Sequence, residues 1–284
     1  MQNEKVIVIN GISRGGTNIL WNMIQSHPAV CGAMYETDQL FAPWTKNRLR
    51  IVTDTVFRNP LLRIPPFITI AAPLIDQRLF NVKLRNLNDF YNGFSTEGVP
   101  YTRAEIERSA VCLKSINNTI YSTPLFARIY GERLYTIGIV RNGYGICESW
   151  VRRGIPAAKA GLRYRQYVET MFKYREQNER YMIVKFEDIL QAPFETLSSI
   201  FTFCDLEPTT VDKFRLKSKP ILTEDGSRKV PFGSRNVKYW LDRDTIQEFL
   251  VPNIATIQSD ALSDADRQAF EAEALPVLQQ LDYA

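Results

Sequence analysis

The chain has 284 residues, 45% hydrophobic and 23% charged, which is enough for one large α/β domain and far from a disordered composition. Lys and Arg outnumber Asp and Glu by 35 to 31, a mild basic excess that suits an anionic ligand but lacks the dense Lys/Arg blocks of a nucleic-acid surface. Four scattered cysteines without a C-x-x-C pair, and a single histidine, support neither a disulfide framework nor a bound metal.

The first predicted element is a buried strand from Lys5 to Asn10, followed by Gly11-Ile-Ser13-Arg14-Gly15-Gly16-Thr17-Asn18 and a helix carrying Ile19, Leu20, Met23 and Ile24. This is the pattern of a phosphate cradle: glycines let the backbone approach an anion, and the opening amides of the helix aim partial positive charge at it. Gly11 and Gly16 keep the Walker spacing, but Thr17 and Asn18 stand where Lys and Ser/Thr would hold a triphosphate and Mg²⁺. The fixed cation is Arg14 instead, inside the loop. Such a loop suits a phosphate-like group handled without a metal.

A core strand so close to the start leaves no room for a signal peptide, and the longest apolar run, Phe67 to Ile75, is too short to span a bilayer. A cytoplasmic location is expected, unless an N-terminal anchor precedes the sequence. Pro28 stops the first helix, and a second strand is expected from Ala29 to Met34, with Tyr35-Glu36-Thr37 just beyond it. From about 40 to 110 the pattern weakens among Pro43, Pro60, Pro65, Pro66, Pro73 and Pro100. This stretch reads as an insertion that shapes an acceptor pocket within a single domain over 1–284; its aromatics Trp44, Phe57, Phe67, Phe80, Phe90 and Tyr91 are either pocket walls or simply core.

Further strands are expected at Val111–Lys114, Tyr135–Val140 and Tyr181–Phe186, with helices at roughly 122–131, 145–153, 161–178 and 193–204. Apolar strands interleaved with helices predict a three-layer α/β sandwich, with a central parallel sheet flanked by helices. Ligands then gather beyond the carboxyl ends of the strands. Arg141 ends the fourth strand, while Ser149 and Arg153 lie four apart on the expected next helix, so three donors converge on a second anion site. Two separated anion sites imply a ligand with phosphates at both ends.

At these residues the chain resembles the sulfotransferases that use 3′-phosphoadenosine 5′-phosphosulfate. Arg14-Gly15-Gly16-Thr17-Asn18 with His27-Pro28 is similar to that family's 5′-phosphosulfate loop, and Arg141 with Ser149 eight positions later is similar to its 3′-phosphate motif. Val184-Lys-Phe186-Glu-Asp-Ile-Leu190 resembles a third family segment, and Ser234-Arg235-Asn-Val-Lys238 before Trp240 a fourth. The resemblance implies the P-loop-like sulfotransferase fold and a donor site built from Ser13, Arg14, Gly15, Gly16, Thr17, Asn18, Arg141, Ser149, Arg153, Phe186, Arg235 and Lys238. It further implies release of adenosine 3′,5′-bisphosphate, and an acceptor hydroxyl on a small molecule, carbohydrate or peptide. Gly15, Asn18 and Phe186 depart from the usual Ser, Thr and Tyr.

Sulfuryl transfer asks for a base on the acceptor hydroxyl and for cations around the departing oxygen. Glu36 is similar in position to the Glu base of the tyrosylprotein branch, where the connection is one residue shorter. A partly desolvated pocket would raise its pKa toward a useful range. Lys114 resembles the family lysine at the bridging oxygen, with Arg14 sharing that task, and His27 reads as a structural residue at the helix end. Two alternatives stand beside this one: a P-loop kinase of small molecules, and a non-catalytic nucleotide-binding protein of the same fold.

Overall fold

Short stretches that are apolar on both faces suit strands covered on both sides, and a sheet of five strands makes the centre of the fold. The computed structural model describes residues 1–37, 65–88 and 101–284. Strands β1 (Val6–Gly11), β2 (Val30–Glu36), β3 (Ala110–Ile116), β4 (Leu134–Val140) and β5 (Tyr181–Lys185) form one parallel sheet in the order β2-β3-β1-β4-β5.

The helices are α1 (Thr17–Ile24), α2 (Pro65–Leu84), α3 (Arg103–Arg108), α4 (Thr123–Tyr130), α5 (Gly143–Val151), α6 (Ala157–Gln177), α7 (Phe186–Gln191), α8 (Pro193–Phe203), α9 (Ile246–Phe249), α10 (Ile254–Asp260) and α11 (Asp264–Gln280). Alternation along β1 divides the core. Ile7 and Ile9 face a layer with Leu20 and Met23 of α1 and Leu197 and Ile200 of α8, whereas Val6 and Val8 face Leu79 of α2 and Phe126 of α4. The result is the α/β sandwich that the alternating pattern predicts.

The chain runs from β1 to β2 and β3 on one side, then crosses to β4 and β5 on the other. The reversal lies between β1 and β4, so the loop after β1 and the residues after β4 open into one crevice. Four differences from the sequence reading matter. First, β2 extends through Glu36, which pairs in register with Lys114 of β3; from Gly32 to Glu36 β2 advances four residues against two from Cys112 to Lys114, so it bulges here.

Second, Pro65 to Leu84 is a continuous helix despite Pro73. Ile75, Leu79 and Val82 are buried on the sheet at about 1.5–3 kcal/mol each, which outweighs the ~3 kcal/mol of an internal proline. Trp44, Phe57, Phe90 and Tyr91 of the expected acceptor wall lie outside the described residues, while Phe80 is half-buried on α2. Third, α5 ends at Val151, before Gly154 takes the left-handed conformation (φ 81°), so Arg153 sits in the turn and not on the helix face with Ser149.

Fourth, the C-terminal part adds an antiparallel pair, β6 (Phe214–Lys217) with β9 (Lys238–Leu241), and a hairpin, β7 (Ile221–Leu222) with β8 (Arg228–Lys229). Among the described residues no helix is long and apolar enough to cross a membrane.

Candidate active site

The loop between β1 and α1 is shaped by three local constraints. Gly15 donates its N–H to the Ile12 carbonyl at 2.9 Å, and a Cβ at Gly15 would lie 2.9 Å from that same oxygen. Arg14 and Gly16 both take positive φ, 75° and 86°, and a Cβ on Gly16 would put three ring atoms of Phe186 inside 3.0 Å. Gly16 caps α1 without a side-chain bond, and the first turn holds no acid, which leaves the helix's opening amides to an external anion.

Outside contacts hold this turn in place. The Ser13 N–H donates to Asn117 Oδ1 at 2.9 Å, Trp150 Nε1 donates to Ser13 Oγ at 3.1 Å, and Arg141 Nη1 donates to the Arg14 carbonyl at 2.8 Å. Thr17 is buried, whereas Arg14 and Asn18 are exposed.

Arg141 is buried at the end of β4, with its guanidinium carbon 4.9 Å from the Phe186 ring centroid and Nη2 bonded to Gln258 Oε1. Its Nε–H is buried and has no hydrogen-bond partner among the described residues. Burial pushes the Arg141 guanidinium below its ordinary pKa, with Glu187 the largest opposing charge. Ser149, also buried, lies one turn beyond Gly145 on the same face of α5, and Arg141 Nη2 lies 3.4 Å from where a Gly145 Cβ would be. Phe186, Arg141 and Ser149 therefore share one corner of the crevice.

A second corner lies across the loop. Lys114 Nζ donates to Asn18 Oδ1 at 2.5 Å, stands 3.9 Å from Glu36 Oε1, and lies 5.0 Å from the Trp21 ring centroid. Burial lowers the Lys114 pKa, and Glu36 is the largest influence raising it. The Glu36 side chain is 45% exposed. Thr37, donating to the Lys114 carbonyl at 2.9 Å, fixes the chain just after it. Lys238 joins this corner, 5.9 Å from the Trp21 ring; burial, then Arg215 and Lys217, push its pKa down to about 7. So Lys238 stands with Lys114, away from Arg141.

Arg153 is exposed, but its charge reaches the loop: partial burial, then Arg153, Arg152 and Arg228, lower the Arg14 pKa. Arg235 is exposed, with no contact to the loop or to Arg141 among the described residues. His27 is buried; its Nδ1 accepts the Ala29 N–H at 3.1 Å and its Nε2 lies 3.0 Å from the Glu207 carbonyl, which suits the structural role its sequence position suggests.

Three residues escaped the sequence reading. Gln258 reaches Arg141 from α10, Arg228 of β8 stands 3.6 Å from Glu148 beside Arg14, and Lys219 has its pKa lowered by partial burial, Lys217, Lys114 and Arg14. Lys213, Arg215, Lys217 and Lys219 recur every second residue, a period that puts them on one face of a strand, but which way that face turns comes only with the β6–β9 pairing.

The sulfotransferase family model matches residues 6–210. No curated protein matches the chain. Among solved structures, the sulfotransferase domain from the Synechococcus PCC 7002 olefin synthase superposes with a TM-score of 0.50 at 17% identity, covering 96% of this chain and 95% of that one. The sulfotransferase domain from the curacin biosynthetic pathway covers 100% of this chain and 99% of its own, at 16% identity and a TM-score of 0.49. At 17% identity the likeness to the olefin synthase domain speaks for the fold alone.

Proposed function

Because the chain belongs to the sulfotransferase family, we propose that it transfers a sulfuryl group from 3′-phosphoadenosine 5′-phosphosulfate to the hydroxyl of an acceptor, with Glu36 as general base. The observation that carries the donor assignment is Arg141: a buried guanidinium tied to the loop backbone, with an N–H left without a partner beside Phe186 and Ser149. An orphaned donor in that position suits a phosphate oxygen. The bare backbone at Gly16 lets the Phe186 ring close against the loop, next to the opening amides of α1 that suit a phosphate group.

When bound, the donor supplies the sulfuryl group and leaves as adenosine 3′,5′-bisphosphate. Arg141 and Ser149 hold the 3′-phosphate in this proposal, and Phe186 backs the adenine side. Backbone amides of Arg14, Gly16, Thr17 and Asn18 hold the 5′ end, while those of Ser13 and Gly15 brace the turn through Asn117 and Ile12. Arg14 and Lys114 keep positive charge beside the departing oxygen, with Lys238 adding to it from the Trp21 side and Arg153 contributing long-range field. Glu36 takes the acceptor proton on a carboxylate oxygen, and the 3.9 Å to Lys114 brings base and cation to one place. Asn18, bonded to Lys114, orients that ammonium. Arg235 has no part in this scheme.

The kinase alternative is not favoured, since Thr17 occupies the position of the Walker lysine and the family match points elsewhere. Calorimetry tests the donor site. Adenosine 3′,5′-bisphosphate is expected to bind without added metal, and Arg141→Ala to weaken it far more than it weakens adenosine 5′-phosphate. Equal losses for the two nucleotides would remove Arg141 from the 3′-phosphate. Transfer from the sulfate donor to a simple phenol separates an enzyme from a binding protein of the same fold.

A further inference from the structure

Both terminal nitrogens of Arg141 are held by oxygens that carry no net charge. Nη1 donates to the Arg14 carbonyl at 2.8 Å, and Nη2 donates to the amide oxygen of Gln258. Gln258 is buried on α10, beyond the stretch matched by the family model. Its approach depends on Gly145, where a Cβ would stand 3.1 Å from Gln258 Oε1 and 3.4 Å from Arg141 Nη2.

The acids whose fields reach Arg141 are engaged elsewhere. Glu187 accepts the Asn142 N–H at 3.0 Å and the Tyr283 hydroxyl at 2.6 Å, while Glu148 accepts from Arg152 Nε at 3.0 Å and lies 3.6 Å from Arg228. A neutral amide thus fixes the orientation of the guanidinium and adds no further negative charge to the fields of Glu187 and Glu148. A carboxylate in its place would hold the same bond and neutralise the cation.

Resting on the nucleotide assignment above, we infer that Gln258 is a positioning residue for the 3′-phosphate: it aims Arg141 without compensating it, and so sets the preference for a nucleoside bisphosphate over the monophosphate. Helix α10, beyond the stretch matched by the family model, is then part of the nucleotide site.

The test compares adenosine 3′,5′-bisphosphate with adenosine 5′-phosphate by calorimetry on the whole chain, in wild type, Gln258→Glu and Gln258→Leu, with circular dichroism confirming the fold. Gln258→Glu, close in shape, is expected to lower the ratio of the two affinities by about tenfold, chiefly through the bisphosphate. Gln258→Leu lowers it in the same direction by releasing Nη2, and decides the matter should the Glu variant not fold. A merely structural role would weaken both nucleotides alike, and that result, or an unchanged ratio, overturns the inference. If wild type itself shows no preference for the bisphosphate, the donor assignment falls and this inference with it. If wild type prefers it and both variants keep the preference, Gln258 alone is wrong.

Discussion

Gly16→Ala is the sharpest perturbation of the loop, because two costs coincide at one atom. The backbone there sits at φ 86°, where a Cβ costs roughly 1–2 kcal/mol. The same Cβ would meet three atoms of the Phe186 ring inside 3.0 Å, and the ring is only 3% exposed, so it has little room to yield; overpacking of this kind costs about 1–3 kcal/mol. Together they come to about 2–5 kcal/mol, a large share of the ~5–15 kcal/mol that keeps a protein folded. Urea denaturation of wild type, Gly16→Ala, Phe186→Ala and the double variant separates the two parts. Removing the ring alone is expected to cost about 3–5 kcal/mol through the cavity it leaves. In the double variant the steric part disappears and the backbone part stays, so the cycle should show about 1–3 kcal/mol of coupling. Bisphosphate affinity should fall with the single variant, since the same ring backs Arg141 at 4.9 Å. A loss below ~0.5 kcal/mol, or strict additivity in the cycle, would refute the close approach of loop and ring.

Glu36→Gln should lower turnover by about 10²–10⁴ while leaving bisphosphate affinity near wild type, measured by product formation with a phenol acceptor and by calorimetry; unchanged turnover takes the base role away from Glu36. Lys238→Met should stabilise the protein at pH 6, and the gain should shrink at alkaline pH. Below about 7 the lysine is charged in both states and the folded state bears the cost of its burial; between about 7 and 10.5 the unfolded chain still holds a proton that the folded chain has released, so wild-type stability climbs with pH. At ~1.4 kcal/mol per pH unit the whole displacement is worth at most about 5 kcal/mol. Denaturation midpoints at pH 6 and pH 10 read this directly, and a gain independent of pH would contradict the burial of that ammonium.

The sheet was legible because β1, β3, β4 and β5 are apolar on both faces, a pattern few other elements produce. The loop was legible because its glycine spacing is local. The prolines from 43 to 100 argue against a helix such as α2, although Ala72, Ile75, Leu79 and Val82 recur at spacings of three and four. Arg153 falls off the helix face because Gly154, three residues past Val151, marks the stop. Gln258 and Lys219 were beyond sequence reasoning for a different reason. Their relevance comes from long-range approach: the glutamine carries no local pattern that marks it, and the lysine only the alternation of cations at 213, 215 and 217, which names no partner. The same holds for Gly145, whose lack of a side chain matters only because Gln258 comes to rest against it.

The bond between Arg141 and Gln258 also bears on the order of assembly during synthesis. All five strands of the parallel sheet have left the ribosome once Lys185 is clear, and their apolar faces can begin to collapse with α1 and α4. The outer clamp on Arg141 emerges only with α10. A nascent chain therefore passes through a stage with its sheet paired and its guanidinium unanchored on one side. The emergence of α10, rather than sheet formation, is what gives the anion pocket its final shape.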